Sequence, residues 1–199
     1  SDSISISESD SDSDSSSIYA TNNLDLTVTN NFSNRGDLFA GNSLTITNTT
    51  GVIDNNGTIK SNSTIGIYTD TLNNNSSQSL ILSGGDLTIS ATSLVDNSNT
   101  KNDIYSSLDT GTEIIDIVTA GISAIYGTSS ITSNSILNTD GIVKSLSIDL
   151  TLDSDYTITG TITAEDHIDI TANSITNLGD VTTTDYINLY ATSGSITNG

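Results

Sequence analysis

Glycine residues recur at nearly constant intervals along this chain, and each closes a unit of the same design. The intervals are 19, 19 and 20 residues across Gly141, Gly160, Gly179 and Gly199, and 21 residues between Gly36 and Gly57. A unit of this length is too short to bury its own apolar face, so it must stack on its neighbours and share a core with them. The spacing therefore predicts a repeat protein of the solenoid type.

Short apolar alternations precede the glycines. Leu24, Leu26 and Val28 alternate with polar residues, and the same pattern returns at 44–47, 168–171 and 187–190. Alternation with a period of two is typical of a half-buried strand. We expect two or three strands per unit, with corners at Gly or Asn where positive φ is cheap. The predicted fold is all-β: a right-handed parallel β-helix with about 20 residues per coil.

Stacking in register predicts two kinds of ladder along the axis. Aliphatic side chains should fill the interior, and asparagines at stacked turns should bond to their equivalents above and below. The predicted core ladder comprises Leu24, Leu26, Leu44, Ile46, Ile65, Leu87, Ile168, Ile170, Ile187 and Leu189. The predicted turn ladder comprises Asn34, Gly36, Asn55, Gly57, Asn177, Gly179, Asn198 and Gly199.

The repeat also indicates how the chain is divided. Residues 1–17 are almost purely Ser and Asp and are expected to form a spacer or an edge strand, while 18–199 form one solenoid domain with an irregular stretch near 97–135. Because the last residues make a turn without a capping unit, we expect an uncapped C-terminal end. The expected partners of this chain are further coils of a parent chain or other copies of the same chain. The lack of any Met predicts a processed product or an excised fragment.

Charge narrows the classes of partner. The chain has 4 Lys plus Arg against 24 Asp plus Glu, a net charge of −20. Such a charge opposes binding to nucleic acid and anionic lipid, and without a run of about 18 apolar residues we expect no membrane insertion. An acidic surface suits a saline exterior and repels other copies laterally. Cys is absent, so disulfides and thiolate metal sites are excluded.

Few residues in the sequence suggest catalysis or metal binding. His167 is the only histidine and Arg35 the only arginine, so neither a Ser-His-Asp arrangement nor a cationic site for acidic sugars can be argued. We therefore expect a non-enzymatic protein without catalytic residues, with a polysaccharide-active enzyme as the remote alternative. No cofactor is expected except structural calcium, for which the candidate ligands are Asp10, Asp12, Asp14, Asp153 and Asp155.

Ligand-binding β-helices are the other alternative. Thr-x-Thr pairs such as Thr45/Thr47 and Thr161/Thr163 are similar to the threonine arrays of ice-binding β-helices, although charged and aromatic residues replace threonine in other units. A solenoid that binds carbohydrate or calcium is a further alternative.

The units resemble those of the filamentous-haemagglutinin family, the large exported bacterial adhesins of two-partner secretion. An apolar-x-apolar strand, an Asn-Gly or Asn-x-Gly turn and a second apolar strand carry the resemblance, as in 44–59 and 168–181. Ser and Thr replace the Gly and Ala that such repeats favour, and the Asn-Pro motifs of the secretion domain are absent. The resemblance implies an extracellular, cell-surface stalk or a filament subunit that contacts a host or neighbouring cell.

Overall fold

A computed structural model describes residues 17–100 and 120–199 in full, together with the backbone of strands within 1–16 and 101–119. The chain forms a parallel β-solenoid of about eight turns with about 21 residues per coil, which confirms the predicted fold class. The described residues contain no helix that is long and apolar enough to cross a bilayer.

The strands run in a regular succession along the described chain. In chain order they are β1 (Ser3–Glu8), β2 (Ser11–Ser13), β3 (Ile18–Ala20), β4 (Asn23–Val28), β5 (Phe32–Asn34), β6 (Asp37–Ala40), β7 (Ser43–Asn55), β8 (Thr58–Ser61), β9 (Thr64–Asn73), β10 (Leu80–Ser83), β11 (Leu87–Asp96), β12 (Ile104–Leu108), β13 (Ile114–Val118), β14 (Gly121–Leu137), β15 (Ile142–Leu152), β16 (Tyr156–Ile158), β17 (Thr161–Ala164), β18 (His167–Ala172), β19 (Ile175–Asn177), β20 (Asp180–Thr182), β21 (Tyr186–Ala191) and β22 (Ile196–Asn198).

Each coil contributes strands to three parallel faces, which we call sheets 1, 2 and 3. Sheet 1 pairs β1, β4, β7, β9, β11, β14, β15, β18 and β21 in succession. Sheet 2 contains β2, β5, β7, β9, β11 and β14, and then β16, β19 and β22. Sheet 3 contains β3, β6, β8, β10, β14, β15, β17 and β20.

Several long strands bend around a corner and so belong to two faces. β7 pairs with β9 through Ser43 to Asn48 in sheet 1 and then through Val52 to Asp54 in sheet 2, with a register shift between the two segments. The shift marks the corner, where one chain needs extra residues to turn. Parallel pairing between successive turns therefore continues along the axis, as in a solenoid and unlike the two packed sheets of a β-sandwich.

The alternation in the sequence decides which side chains enter the interior. In β4 the buried residues are Leu24, Leu26 and Val28, while Asp25 and Thr27 are exposed. Equivalent residues of the other coils lie against them and form one continuous apolar cluster. At roughly 1.5–3 kcal/mol for each buried aliphatic side chain, this shared interior is the main stabilising contribution.

One excursion leaves the solenoid between sheet 2 and sheet 3 of the same coil. After β11, strands β12 and β13 pair with each other in antiparallel orientation, from Ile104 with Val118 to Leu108 with Ile114. The parallel course resumes at β14, whose first residues pair with β10. The hairpin lies within the stretch 97–135, where the repeat in the sequence is irregular.

The turn glycines have a different role from the one expected. Among the described residues, positive φ occurs at Asn99, Gly121 and Asp140. The prediction of positive φ is therefore wrong for the glycines of the repeat turns, whereas Asn99 and Asp140 adopt it in the turns after β11 and β14. At Gly57 a Cβ atom would overlap the carbonyl oxygen of Gly36 in the preceding coil, and at Gly179 it would overlap that of Gly160. These turns need glycine because successive backbones approach too closely for any side chain.

Candidate functional site

The interior of sheet 1 contains two aliphatic columns that run along the axis. The first joins Leu24, Leu44, Ile65 and Leu87 as direct register partners, and later Ile148, Ile168 and Ile187. The second joins Leu26, Ile46, Ile67, Ile89, Ile131, Leu150, Ile170 and Leu189. The structure thus brings the ten residues of the predicted core ladder into two columns, in which eight are buried, Leu189 is partly buried and Ile187 is 41% exposed.

The first column contains a polar residue that the sequence pattern did not indicate. Ser129 lies between Leu87 and Ile148 in register, and it is fully buried. Its hydroxyl is 2.6 Å from that of Ser145, which belongs to sheet 3 of the next coil. A hydrogen bond across the interior therefore replaces one aliphatic contact at the coil that follows the hairpin.

A column of asparagine side chains lies at the turn between sheet 2 and sheet 3. Each of its first four members donates from its Nδ2 to the Oδ1 of the asparagine one coil further on. The donor–acceptor distances are 2.8, 2.7, 2.8 and 2.8 Å for the pairs Asn34–Asn55, Asn55–Asn74, Asn74–Asn97 and Asn97–Asn138. All five residues are buried, with at most 1% exposed. We call this column the amide ladder.

The second amide hydrogen of the first four asparagines also has a partner. Asn34, Asn55, Asn74 and Asn97 donate from the same Nδ2 to carbonyl oxygens of the following coil, which are those of Thr58, Leu80, Gly121 and Ile142. These carbonyl oxygens lie where sheet 3 begins in the next coil. One buried side chain therefore fixes both the neighbouring amide and the start of the next strand, which satisfies both of its donor hydrogens.

The amide ladder is interrupted once among the described residues. Thr159 stacks on Thr139 through their hydroxyls at 3.2 Å, which places Ile158 above Asn138. The side chain of Ile158 is fully buried and has no atom that can accept a hydrogen bond, and the buried Nδ2 of Asn138 has no partner. The ladder then resumes with Asn177 donating to Asn198 at 2.9 Å in an exposed position.

The four predicted turn asparagines lie in this column, but the prediction missed its other three asparagines. Asn34, Asn55, Asn177 and Asn198 occupy ladder positions, and Gly57 and Gly179 close the same turns. Asn74, Asn97 and Asn138 were not identified. Their turns continue for several residues or lead into the hairpin, so no glycine follows at the usual distance. The signal available was the asparagine itself at the end of each sheet 2 strand.

Of the five calcium candidates, the structure describes the side chains of Asp153 and Asp155. Asp10 and Asp14 lie outside the described residues, and only the backbone of Asp12 is described. Asp153 and Asp155 are both exposed at the corner after β15. Within the described part of the chain, the acidic and histidine side chains close enough to share an ion are Asp149, His167 and Asp169.

His167 lies at the start of β18 on the outer face of sheet 1. Its Nδ1 is 3.1 Å from Oδ2 of Asp166, and its Nε2 is 3.4 Å from Oδ1 of Asp149. The hydrogen bond with Asp166 is the main cause that raises the pKa of the imidazole, against a smaller opposing effect of burial. Asp149 and Asp169 add a Coulombic contribution in the same direction.

A shallow depression lies over the glycine turns of the later coils. Its volume is about 140 Å³, and its lining includes Asp140, Gly160, Leu178 and Asp180. Pockets for small molecules usually measure about 300–1,000 Å³. This depression is therefore smaller than a typical ligand pocket.

Comparison with known proteins returned no match to a family model, a curated protein or a solved structure.

Proposed function

We propose that this chain is a non-enzymatic structural module: a rod that forms the stalk of an extracellular surface protein or a filament subunit that stacks end to end. Its mechanical role rests on interactions that run along the axis. Parallel strands, aliphatic columns and the amide ladder all join each coil to the next. Tension along such a rod is distributed over many backbone hydrogen bonds and over a continuous apolar interior.

The observation that carries the proposal is the axial pairing of each described coil with the next, because this pairing decides how much of a coil is buried. Ile187 and Ile196 are 41% and 47% exposed, whereas their register partners Ile168 and Ile175 one coil earlier are fully buried. Val181 and Leu189 in the same coil are only partly buried. The contrast shows that stacking of one coil on another is what buries these positions and pairs the strand edges.

A further coil can come from two sources, and both serve the same function. In a stalk it belongs to the parent chain. In a filament it belongs to the opposite end of a second copy, and a head-to-tail contact of this kind does not close, so it continues into a fibre. The resemblance of the repeats to filamentous-haemagglutinin-like adhesins supports the stalk, because that family builds stalks from units of about this length.

The net charge of −20 fits this role. No Asp or Glu side chain is buried in the described ranges 17–100 and 120–199. Two parallel rods with carboxylates on their outer faces repel each other sideways, while apolar coil ends can still stack. The same charge suits a saline extracellular environment. An antibody against the folded chain should therefore label intact host cells, and labelling that requires cell lysis would contradict the location.

Electron microscopy and analytical ultracentrifugation of the purified chain test whether it forms rods and whether these rods join end to end. We expect rods whose width does not vary, either single or joined end to end. The variant Ile187→Lys with Ile196→Lys places charge on the last coil and should abolish joining. Tyr126→Lys is the matched control, because Tyr126 is 66% exposed in the middle of the chain.

Two results would contradict the proposal. One is a compact particle without rod shape. The other is end-to-end joining that Tyr126→Lys removes as efficiently as the double variant, because association would then not depend on the last coil.

A further inference from the structure

Three potential metal ligands project from the outer face of sheet 1. His167 and Asp169 are two residues apart in β18, so their side chains leave the strand on the same side. Asp149 in β15 is the direct register partner of Asp169. The parallel pairing of two successive coils therefore brings an imidazole and two carboxylates together.

Their ligand atoms have the spacing of a shared ion. One atom from each residue lies within 4.8 Å of the other two. Nε2 of His167 is 3.4 Å from Oδ1 of Asp149. Two ligands bound at about 2.1 Å to one tetrahedral ion are separated by about 3.4 Å. The imidazole and the carboxylate thus need little movement to bind the same cation.

The imidazole is held in the orientation that metal sites use. Asp166 contacts Nδ1 at 3.1 Å, and the hydroxyl of Ser147 donates to the same Oδ2 of Asp166 at 3.2 Å. Tyr186 of the next coil stacks on the ring, with centroids 5.3 Å apart and an interplanar angle of 8°. A carboxylate on one ring nitrogen fixes the tautomer and leaves the other nitrogen available as a ligand. Here the available nitrogen is Nε2, which faces Asp149.

Asp169 supplies a separate observation that points to a cation. Its Oδ1 is buried and has no hydrogen-bond partner. The neighbouring carboxylate of Asp149 is its register partner, and like charges directly opposite each other on paired strands destabilise a sheet. A bound cation would satisfy the buried oxygen and remove the repulsion between the two carboxylates.

We propose that Asp149, His167 and Asp169 bind one divalent transition-metal ion, with Nε2 of His167 and one oxygen from each carboxylate as ligands. A nitrogen ligand beside two oxygens favours ions of the zinc class, whereas Ca²⁺ and Mg²⁺ prefer oxygen alone. The ion would join two successive coils on the outside of the rod, opposite the aliphatic columns on the inside. This site does not depend on the mechanical role proposed above.

The single histidine makes the direct experiment unambiguous. Zn²⁺ is added to the full chain after treatment with a chelator, and the two imidazole nitrogens are followed by long-range ¹H–¹⁵N spectroscopy. We expect a saturable change at Nε2 with one equivalent of Zn²⁺, while Nδ1 keeps its proton towards Asp166. Ca²⁺ at the same concentration should leave both signals unchanged.

Variants measured by isothermal titration separate this site from general binding to an acidic surface. We expect Zn²⁺ affinity to fall more than about tenfold in the single variant His167→Gln and in the double variant Asp149→Asn with Asp169→Asn. Asp166→Asn should lower the affinity about 10–100-fold, because Asp166 orients the imidazole ring. Asp25→Asn is the matched control, because Asp25 faces outward at the equivalent strand position several coils away. The Zn²⁺ affinity of this variant should equal that of the original chain.

Any of three results would overturn the proposal. The first is the absence of saturable Zn²⁺ binding. The second is saturable binding without a change at Nε2, which would place the ion elsewhere and leave His167 and Asp149 as an ion pair only. The third is an affinity in His167→Gln within about twofold of the original. If a variant fails to fold, as judged by circular dichroism, the imidazole spectrum of the original chain still decides.

Discussion

The amide ladder differs between the first and the last coils of the rod. From Asn34 to Asn138 it is continuous and buried, and each amide nitrogen before Asn138 donates twice. Beyond Asn138 it is interrupted by Ile158 and continues as one exposed contact between Asn177 and Asn198. The two regions have the same backbone fold, so this column of side chains can vary while the stacking is kept.

The difference shows what a buried polar column requires. An amide in the interior is favourable only when the coils on both sides supply partners, because an unpaired buried polar group costs about 1–3 kcal/mol. At the interruption the cost is visible in the buried Nδ2 of Asn138, which has no partner. Apolar packing by Ile158 stabilises its own coil, but it does not offset the cost of the unpaired Nδ2 of Asn138 in the preceding coil.

The largest effect is expected from Asn74→Ala in the continuous region. This change removes the acceptor of Asn55 and both donations of Asn74, to Asn97 and to the carbonyl of Gly121. Two or more buried groups lose partners, so the free energy of unfolding should fall by about 2–4 kcal/mol. Urea denaturation measures the loss.

Asn177→Ala is the control for that change. Its amide contact with Asn198 is exposed, so water replaces the lost partner and the loss should stay below about 1 kcal/mol. Equal losses for Asn74→Ala and Asn177→Ala would show that burial does not distinguish the two regions.

An intermediate effect is expected from Gly57→Ala, which tests the close approach of the turns beside the ladder. The added Cβ would overlap the backbone carbonyl of Gly36, which cannot move without separating two coils. We expect destabilisation of about 1–3 kcal/mol in thermal or chemical unfolding. Gly66→Ala is the matched control, because the nearest atom to its Cβ belongs to the flexible ring of Tyr68 at 3.1 Å. Tolerance of both substitutions would contradict the stacking requirement.

The smallest net effect is expected from Ile158→Asn, which would join the two parts of the ladder. The change loses about 1.5–3 kcal/mol of apolar burial but supplies an acceptor for Asn138 and a donor towards Asn177. We therefore expect a net change within about 1 kcal/mol. Ile162→Asn, at a fully buried position in sheet 3 outside the ladder, should destabilise by more than about 3 kcal/mol. If both variants lose the same stability, the ladder does not accept the new amide.

Much of the fold was predictable because it depends on local alternation and on a constant repeat length. Leu24, Leu44, Ile65 and Leu87 are 20–22 residues apart in the sequence and are direct register partners in sheet 1. The alternation within each strand indicated which side faces inward, as the buried Leu24 and exposed Asp25 show. Both features follow from strand geometry and do not require knowledge of the neighbouring coils.

The missed ladder residues depended on the length of the turns. Asn74, Asn97 and Asn138 are spaced by 23 and 41 residues, because a hairpin separates the last two in the chain. A search at the interval of 19–21 residues reaches Asn74, which is 19 residues after Asn55, but it passes over Asn97 and Asn138. Only the parallel register of sheet 2, counted from strand to strand, identifies them as equivalents of Asn34 and Asn55.

The amino-acid sequence alone determined that this chain stacks strands into a parallel solenoid, since its short units can bury their apolar residues only against one another. Tertiary structure decided which polar groups meet. Hydrogen bonds between amides and the approach of His167 to Asp149 depend on distances of about 3 Å between residues from different coils. A repeat pattern specifies the order of the coils, but it does not specify their register to that precision.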